Sequence, residues 1–322
     1  MIQFIQADAT ALPLADQSVD LVIGSPPYTD ARTYGIGAQR GCREWVDWML
    51  PVVTESLRVS KGLVLFVVGG VTREKCYLPA CEGLLWEWWS RGGHCFRPVI
   101  WHKVDPVTRG GCATPGSGGK QWLRSDWEYV MAFKRPGDLP FADNTACGHP
   151  PKYGPGGAFS SRNADGVRAN DPWGKGDRGN GLCGRRADGT KKLGNRRMRQ
   201  PDGHLEEQRY APPKLSNPGD FLETEWPELV EARVGGGHMG HDDAHKGEAP
   251  YPLGVPEFFI KSFAPPGGLV LDPFGGTGST AHAAFINGRS CLSIDIRESQ
   301  CELGRRRLAS IPEPAKQAEL FA

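Results

Sequence analysis

Two short stretches carry residues that could act together on a ligand. The first is Ser25-Pro26-Pro27-Tyr28, directly after the apolar run Val19-Asp20-Leu21-Val22-Ile23. Consecutive prolines fix φ, remove two backbone donors, and can neither continue a helix nor sit inside a sheet. A stiff, extended loop at a strand end is expected, offering a hydroxyl and a ring to a flat ligand; an ordinary strand-ending turn is the alternative on this fragment alone. The second stretch is LVLDPFGGTGST, residues 269–280: a strand, Asp272, then Gly275, Gly276 and Gly278 leading into a helix. Glycines let a backbone approach a ligand closely, and a helix start offers free N–H donors. Asp295 ends the next apolar run roughly 20 residues on, where a carboxylate can accept two ribose hydroxyls. The spacing is neither the dinucleotide G-x-G-x-x-G nor a Walker loop, because no Gly-Lys-Ser/Thr follows.

The elements that must position these residues read as follows. MIQFIQ and VDLVIG are short strands. Residues 43–59 space their apolar positions like a helix that Pro51 should kink or divide. GLVLFVVGG (62–70) is a continuous apolar run, as in a strand buried on both faces. Residues 74–92 read as a second helix with an early break at Pro79. FRPVIWHK and WEYVMAFKR look like two further strands. From 251 onward a strand, the glycine turn, a helix (STAHAAFING), a strand (SCLSIDI) and a helix (RESQCELGRRRLASI) follow. Strands alternating with helices predict a parallel α/β sheet covered on both faces.

Between 136 and 249 the apolar runs stop, and Gly, Pro, Arg, Asn and Asp dominate. Lys175 to Arg199 holds nine Lys/Arg against two Asp, although the net charge of the whole chain is only +1. Nine cations in so short a segment suit phosphate neutralisation, and Arg and Asn also read base edges; a solvated loop with too few apolar residues to fold around is the plainer reading. The chain of 322 residues is long enough for a full core, and its nine cysteines contain no C-x-x-C. That usage predicts reduced, mostly buried thiols and a cytoplasmic setting. No apolar run reaches the ~18 residues of a membrane helix. His238, His241 and His245 have a spacing that could hold a metal, but they lie in a glycine loop without cysteines, so no metal is expected.

With both stretches in view, the sequence resembles the S-adenosylmethionine-dependent DNA methyltransferases that modify exocyclic amines. SPPY resembles their catalytic motif and DPFGGTG their cofactor motif. Their order, catalytic before cofactor, resembles the permuted β group, and WEYVMAFKR is similar to a family strand beginning His/Trp-Glu-Tyr. The stretch before the cofactor motif also resembles the family's, with Tyr251-Pro252 and Val255-Pro256 in place of its usual Phe-Pro and Leu-Pro. The resemblance covers 1–135 and 250–322. It implies a doubly wound, mostly parallel, seven-stranded Rossmann-like α/β sheet, with 136–249 inserted as a target-recognition region.

The resemblance also implies roles. Ser25 Oγ and the Pro26 carbonyl would accept hydrogens of the target amine, Pro27 offers no competing N–H, and Tyr28 stacks on the base. Asp272 would face the methionine end of S-adenosylmethionine. Pro273, Phe274, Gly275, Gly276, Thr277 and Gly278 would form its turn, Asp295 would hold the ribose, Asp8 the adenine, and Phe258 or Phe259 a pocket wall. Double-stranded DNA is the implied partner, with the base extruded from the stack, and a cognate restriction endonuclease is a second. Arg185, Arg186, Lys191, Lys192, Arg196 and Arg197 would meet DNA, and Arg32 and Tyr34 the phosphate near the extruded base. Ser-Pro-Pro-Tyr usually accompanies cytosine N4 in that family, with adenine N6 as the alternative. No Pro-Cys occurs, which argues against covalent attack on ring carbon 5. An RNA or small-amine methyltransferase and an inactive DNA-binding homologue are the rival readings.

Overall fold

The computed structural model describes residues 1–29, 41–73, 75–103, 126–143, 145–148, 215, 217–222 and 251–311, together with the backbone of Arg197–Arg199 and Leu205–Glu207. In chain order the elements are β1 (Ile2–Gln6), β2 (Leu21–Gly24), α1 (Cys42–Val59), β3 (Val64–Val68), β4 (Val71–Arg73), β5 (Cys76–Leu78), α2 (Ala80–Ser90), β6 (His94–Cys95), β7 (Val99–His102), β8 (Trp127–Lys134), β9 (Arg197–Arg199), β10 (Leu205–Glu207) and β11 (Phe221–Leu222). There follow α3 (Gly254–Phe263), β12 (Leu269–Asp272), α4 (Ser279–Ile286), β13 (Ser290–Asp295) and α5 (Glu298–Ala309).

The main sheet has the order β1-β13-β12-β2-β3-β8-β7-β11, with β6 paired to β8. Strands β1, β13, β12, β2 and β3 are mutually parallel, while β8 runs against both β3 and β7. These seven strands make the expected mostly parallel α/β sheet; the two-residue β6 and β11 extend it.

The unbroken apolar runs have a simple cause. Leu21, Ile23, Leu65 and Val67 point into one core with Phe259, Ala281 and Ala284. Val22, Val64, Phe66 and Val68 point into the other with Trp45, Met49 and Leu84. With helices on both faces, every residue of β2 and β3 is buried whichever way it points. Truncating such a residue, Leu65→Ala for instance, costs about 2–5 kcal/mol.

The two chain ends build one sheet between them. β12 lies between β13 and β2, with Val270 opposite Leu21 and Leu271 opposite Val22. Asp20 closes the start of the pair: its N–H donates to the Leu269 carbonyl at 2.8 Å, and its Oδ2 accepts the Leu269 N–H at 2.8 Å.

Three elements differ from the sequence expectation. Helix α1 continues through Pro51. The proline lies on the exposed face, where the carbonyl deprived of its donor stays open to water. The described residues just before Pro79 are not helical; β4 and β5 form an antiparallel hairpin there, and a residue before proline is disfavoured in the α region. Helix α3 occupies a stretch read only as a motif, with Pro256 in its first turn, where a missing N–H costs nothing.

The chain divides into two compact units, Met1–Cys147 with Pro218–Ala322, and Gly148–Asn217. These boundaries fall inside the 136–249 segment marked by composition. In the first unit Cys147 is in the core, and β11 adds an edge strand beside β7. In the second, β9 and β10 form an antiparallel pair. Among the described residues no helix is long and apolar enough to cross a membrane.

Candidate active site

Ser25–Tyr28 leaves the C-terminal end of β2, and Pro273–Gly278 leaves the C-terminal end of its neighbour β12. Between β12 and β2 the strand order passes from the last part of the chain to the first, the kind of switch point where open α/β sheets place ligands. The contact is close. A side-chain carbon at Gly24 would lie 2.4 Å from Asp272 Oδ1 and 3.3 Å from Pro273 Cδ. Only glycine lets the two loops start this near each other.

The first loop is pinned from three sides. Ser25 Oγ donates to the Val67 carbonyl at 2.9 Å, which uses its proton and leaves oxygen lone pairs to accept. Trp45, buried in α1, donates its indole N–H to the Pro27 carbonyl at 2.7 Å. Tyr28 donates its hydroxyl to Glu128 Oε2 at 2.7 Å.

The second loop is organised around Asp272, which is only 1% exposed. Its Oδ1 accepts the Phe274 N–H at 2.9 Å, and its Oδ2 accepts the Thr280 hydroxyl, which also meets the hydroxyl of Tyr251. Burial is the main cause raising the Asp272 carboxyl to about 7. Gly275 donates to the Ile294 carbonyl at 2.6 Å, and a side-chain carbon there would fall 1.9 Å from Ser293 Oγ. Gly278 caps α4 at φ 80, in the left-handed region that suits glycine. From α5 the buried Arg307 donates to the Thr277 carbonyl at 3.0 Å and to Ser279 Oγ at 3.2 Å. The Phe274 ring sits 6.0 Å from Phe66 and 5.8 Å from Trp48, centroid to centroid, so it ties the turn to the core.

Asp295 stands at the end of β13. Its Oδ2 accepts the Gly276 N–H at 3.2 Å and its Oδ1 the Arg297 N–H at 2.9 Å. The exposed Asp8 follows β1 at the same edge, its Oδ1 accepting the N–H and hydroxyl of Thr10, both at 2.8 Å. Phe258 and Phe259 are core residues, edge to face at 5.1 Å.

The structure thus gathers Ser25 to Tyr28, Asp272 to Gly278 and Asp295 along one edge. Arg32, Tyr34, Arg185, Arg186, Lys191, Lys192 and Arg196 lie outside the described residues, as do His238, His241 and His245; Arg197 is described only as backbone in β9. Sequence reading assigned no role to Thr280, which follows the glycine turn, nor to Trp45, Glu128 or Arg307, which hold the loops from elsewhere in the chain. Glu128 lies in the strand WEYVMAFKR and Thr280 ends the stretch LVLDPFGGTGST.

A family model described as DNA methylase, covering N6 and N4 amino-methyltransferases, matches residues 19–306. The chain belongs to that family. Among curated relatives, YubD of Escherichia coli K12, named as a methylase, is 41% identical over 58 residues, 18% of this chain and 26% of its own length. The type II methyltransferase M.ScaI of Streptomyces caespitosus is 40% identical over 60 residues, 19% of this chain and 20% of its own. The matches therefore span about a quarter or less of those relatives. Among solved structures, the cytosine-N4-specific PvuII DNA methyltransferase has a TM-score of 0.55 at 17% identity, covering 94% of this chain and 85% of that one. TTHA0409 of Thermus thermophilus, complexed with S-adenosyl-L-methionine, has a TM-score of 0.52 at 20% identity, covering 99% of each. At these identities the likeness is one of fold.

Proposed function

We propose that this chain transfers a methyl group from S-adenosylmethionine to the exocyclic N4 amine of a cytosine swung out of duplex DNA. The observation that carries this reading is the junction of Gly24 with Asp272, which sets Ser25 beside the glycine-rich turn.

The residues present fit such a cofactor. Asp295 offers carboxylate oxygens at a strand end, suited to ribose hydroxyls. Asp272, raised by desolvation to about 7, is a carboxylate whose charged form a nearby ammonium would favour. Because its oxygens are engaged by Phe274 and Thr280, it acts through its charge and through the loops it joins. A side-chain carbon at Gly276 would meet nothing nearer than the Phe274 carbonyl oxygen at 3.9 Å, so a ligand can approach the turn closely there. Asp8 is available to the adenine, and Phe258 backs the turn from within the core.

When bound, the cofactor would supply an electrophilic methyl group on a sulfonium, leaving as neutral S-adenosylhomocysteine, while the methylated amine would release one proton to solvent. The amine it must meet is conjugated with the base and a poor nucleophile. Ser25 Oγ, with its proton held by Val67, accepts one amine hydrogen, and the Pro26 carbonyl accepts the other. These bonds draw the nitrogen toward tetrahedral geometry and free its lone pair. Tyr28 stacks on the base and fixes its plane. Most of the work is positioning. Residues 136–249 serve as the target-recognition region, with Arg185, Arg186, Lys191, Lys192, Arg196 and Arg197 on phosphates and base edges, and Arg32 and Tyr34 near the extruded nucleotide.

The test is mass spectrometry of nucleosides from unmethylated duplex DNA incubated with the protein and S-adenosylmethionine. N4-methylcytosine is expected. N6-methyladenine alone would correct the base, and 5-methylcytosine or no methylated nucleoside would overturn the reading.

A further inference from the structure

A buried ion pair stands behind the Ser25–Tyr28 loop, and the transfer described above does not use it. Strand β8 runs against β3, so its first residues lie at the edge where the parallel strands end; Tyr129 is opposite Val68 and Glu128 lies just beyond. Strand β7 runs against β8 in turn, which brings Lys103, the residue after β7, to the same edge. Lys103 Nζ donates to Glu128 Oε1 and lies 5.3 Å from the centroid of the Trp101 ring. Glu128 Oε2 accepts the Tyr28 hydroxyl at 2.7 Å. The side chains of Lys103 and Glu128 are 15% and 8% exposed. Gly69 forms the floor: a side-chain carbon there would lie 2.9 Å from Tyr28 Cε2 and 3.1 Å from Glu128 Oε1. The Tyr28 ring is therefore held at its hydroxyl by Glu128 and closely approached on its flank by Gly69.

We infer that Glu128, anchored by Lys103, is a positioning residue that fixes the plane of the Tyr28 ring and thereby the plane in which the target base stacks over Ser25. The inference rests on the proposed methyl transfer for its catalytic consequence, but not for the ordering of Tyr28. A charged pair this buried is a costly way to fill space, since well-packed apolar residues often serve stability as well or better. Its second oxygen is directed at the one aromatic side chain of the catalytic turn.

Two paired variants separate positioning from bulk. Glu128→Ala with Lys103→Met removes the acceptor together with the cation that pairs with it. Glu128→Gln with Lys103→Met removes both charges but keeps an amide oxygen for the Tyr28 hydroxyl. With unmethylated duplex DNA as substrate, the alanine pair should lower kcat about 100-fold while the KM for S-adenosylmethionine stays within about twofold, the signature of misplaced reacting groups. The glutamine pair should recover to within about fivefold of the parent, as expected when one hydrogen bond is retained.

A second readout is independent of turnover: fluorine NMR of the free protein carrying 3-fluorotyrosine at position 28. The parent and the glutamine pair should give one sharp line, and the alanine pair a broadened or shifted one. An unchanged line in the alanine pair, or equal loss of kcat in both pairs, would overturn the inference. If the parent methylates no DNA, the proposed function falls, and the fluorine spectra still decide whether Glu128 orders Tyr28.

Discussion

Because Ser25 Oγ donates its hydrogen bond to the Val67 carbonyl, its lone pairs would face the proposed target amine as acceptors. Ser25→Ala should lower the single-turnover rate of methyl transfer about 100-fold, the scale seen when one preorganised polar contact to a transition state is removed. Titration calorimetry should show S-adenosylmethionine binding within about twofold of the parent; equal loss of both would place Ser25 in the scaffold. Asp272 carries a pH signature. Its carboxyl titrates near 3.8 when solvated and at about 7 in the fold, mainly through desolvation. Between those values the native state keeps a proton that the unfolded chain has lost. Its contribution to stability therefore declines as pH rises across that interval and levels off above about 7. An ammonium-bearing cofactor favours the ionised form, so its affinity should strengthen as pH rises toward about 7 and then flatten, about tenfold per pH unit on the steep side. Asp272→Asn should remove that dependence in a pH series of calorimetric titrations.

The glycine turn between β12 and α4 works because it has no side chains where β13 packs. In Gly275→Ala the new methyl would meet Ser293 Oγ at 1.9 Å and the Ile294 backbone nitrogen at 3.2 Å. Either Ser293 or the turn must move, at a cost of about 1–3 kcal/mol. The expected result is a lower Tm and weaker cofactor binding; an unchanged Tm would show the turn to be looser than its contacts imply. Much of this layer was legible in the sequence. Buried parallel strands leave long apolar runs, and Gly, Pro and Asp punctuate their ends, so β2, β3 and β12 and the two loops could be read directly. Pro51 misled because its penalty depends on where the freed carbonyl points, and here it lies on the exposed face of α1. Trp45, Glu128 and Arg307 stayed hidden for a different reason. Each reaches its loop through helix packing or strand register, as when Glu128 meets Tyr28 although the two are 100 positions apart, and no local pattern marks such a meeting.

The molecule as a whole joins strands from its two ends into one sheet, with β8 between β3 and β7. The pairing of β2 with β12 places the serine–diproline turn next to the glycine turn although about 250 residues separate them. Between those two ends of the chain lies the basic stretch around Arg185, Arg186, Lys191 and Lys192. Replacing these four with alanine should weaken duplex DNA binding across unrelated sequences. The slope of log affinity against log salt should become shallower by about 0.9 for each phosphate no longer neutralised, measured by fluorescence anisotropy from low to moderate salt. An unchanged slope would assign DNA contact elsewhere.

The convergence of the two turns is tested most directly by a crystal structure of the chain with S-adenosylmethionine bound. The ribose should lie on Asp295 and the sulfonium methyl should aim across Gly24 toward Ser25 Oγ, within roughly 6 Å, leaving room for an amine nitrogen at near-attack distance between them. A cofactor seated away from the Gly275–Gly278 turn, or with its methyl directed away from Ser25, would refute that convergence.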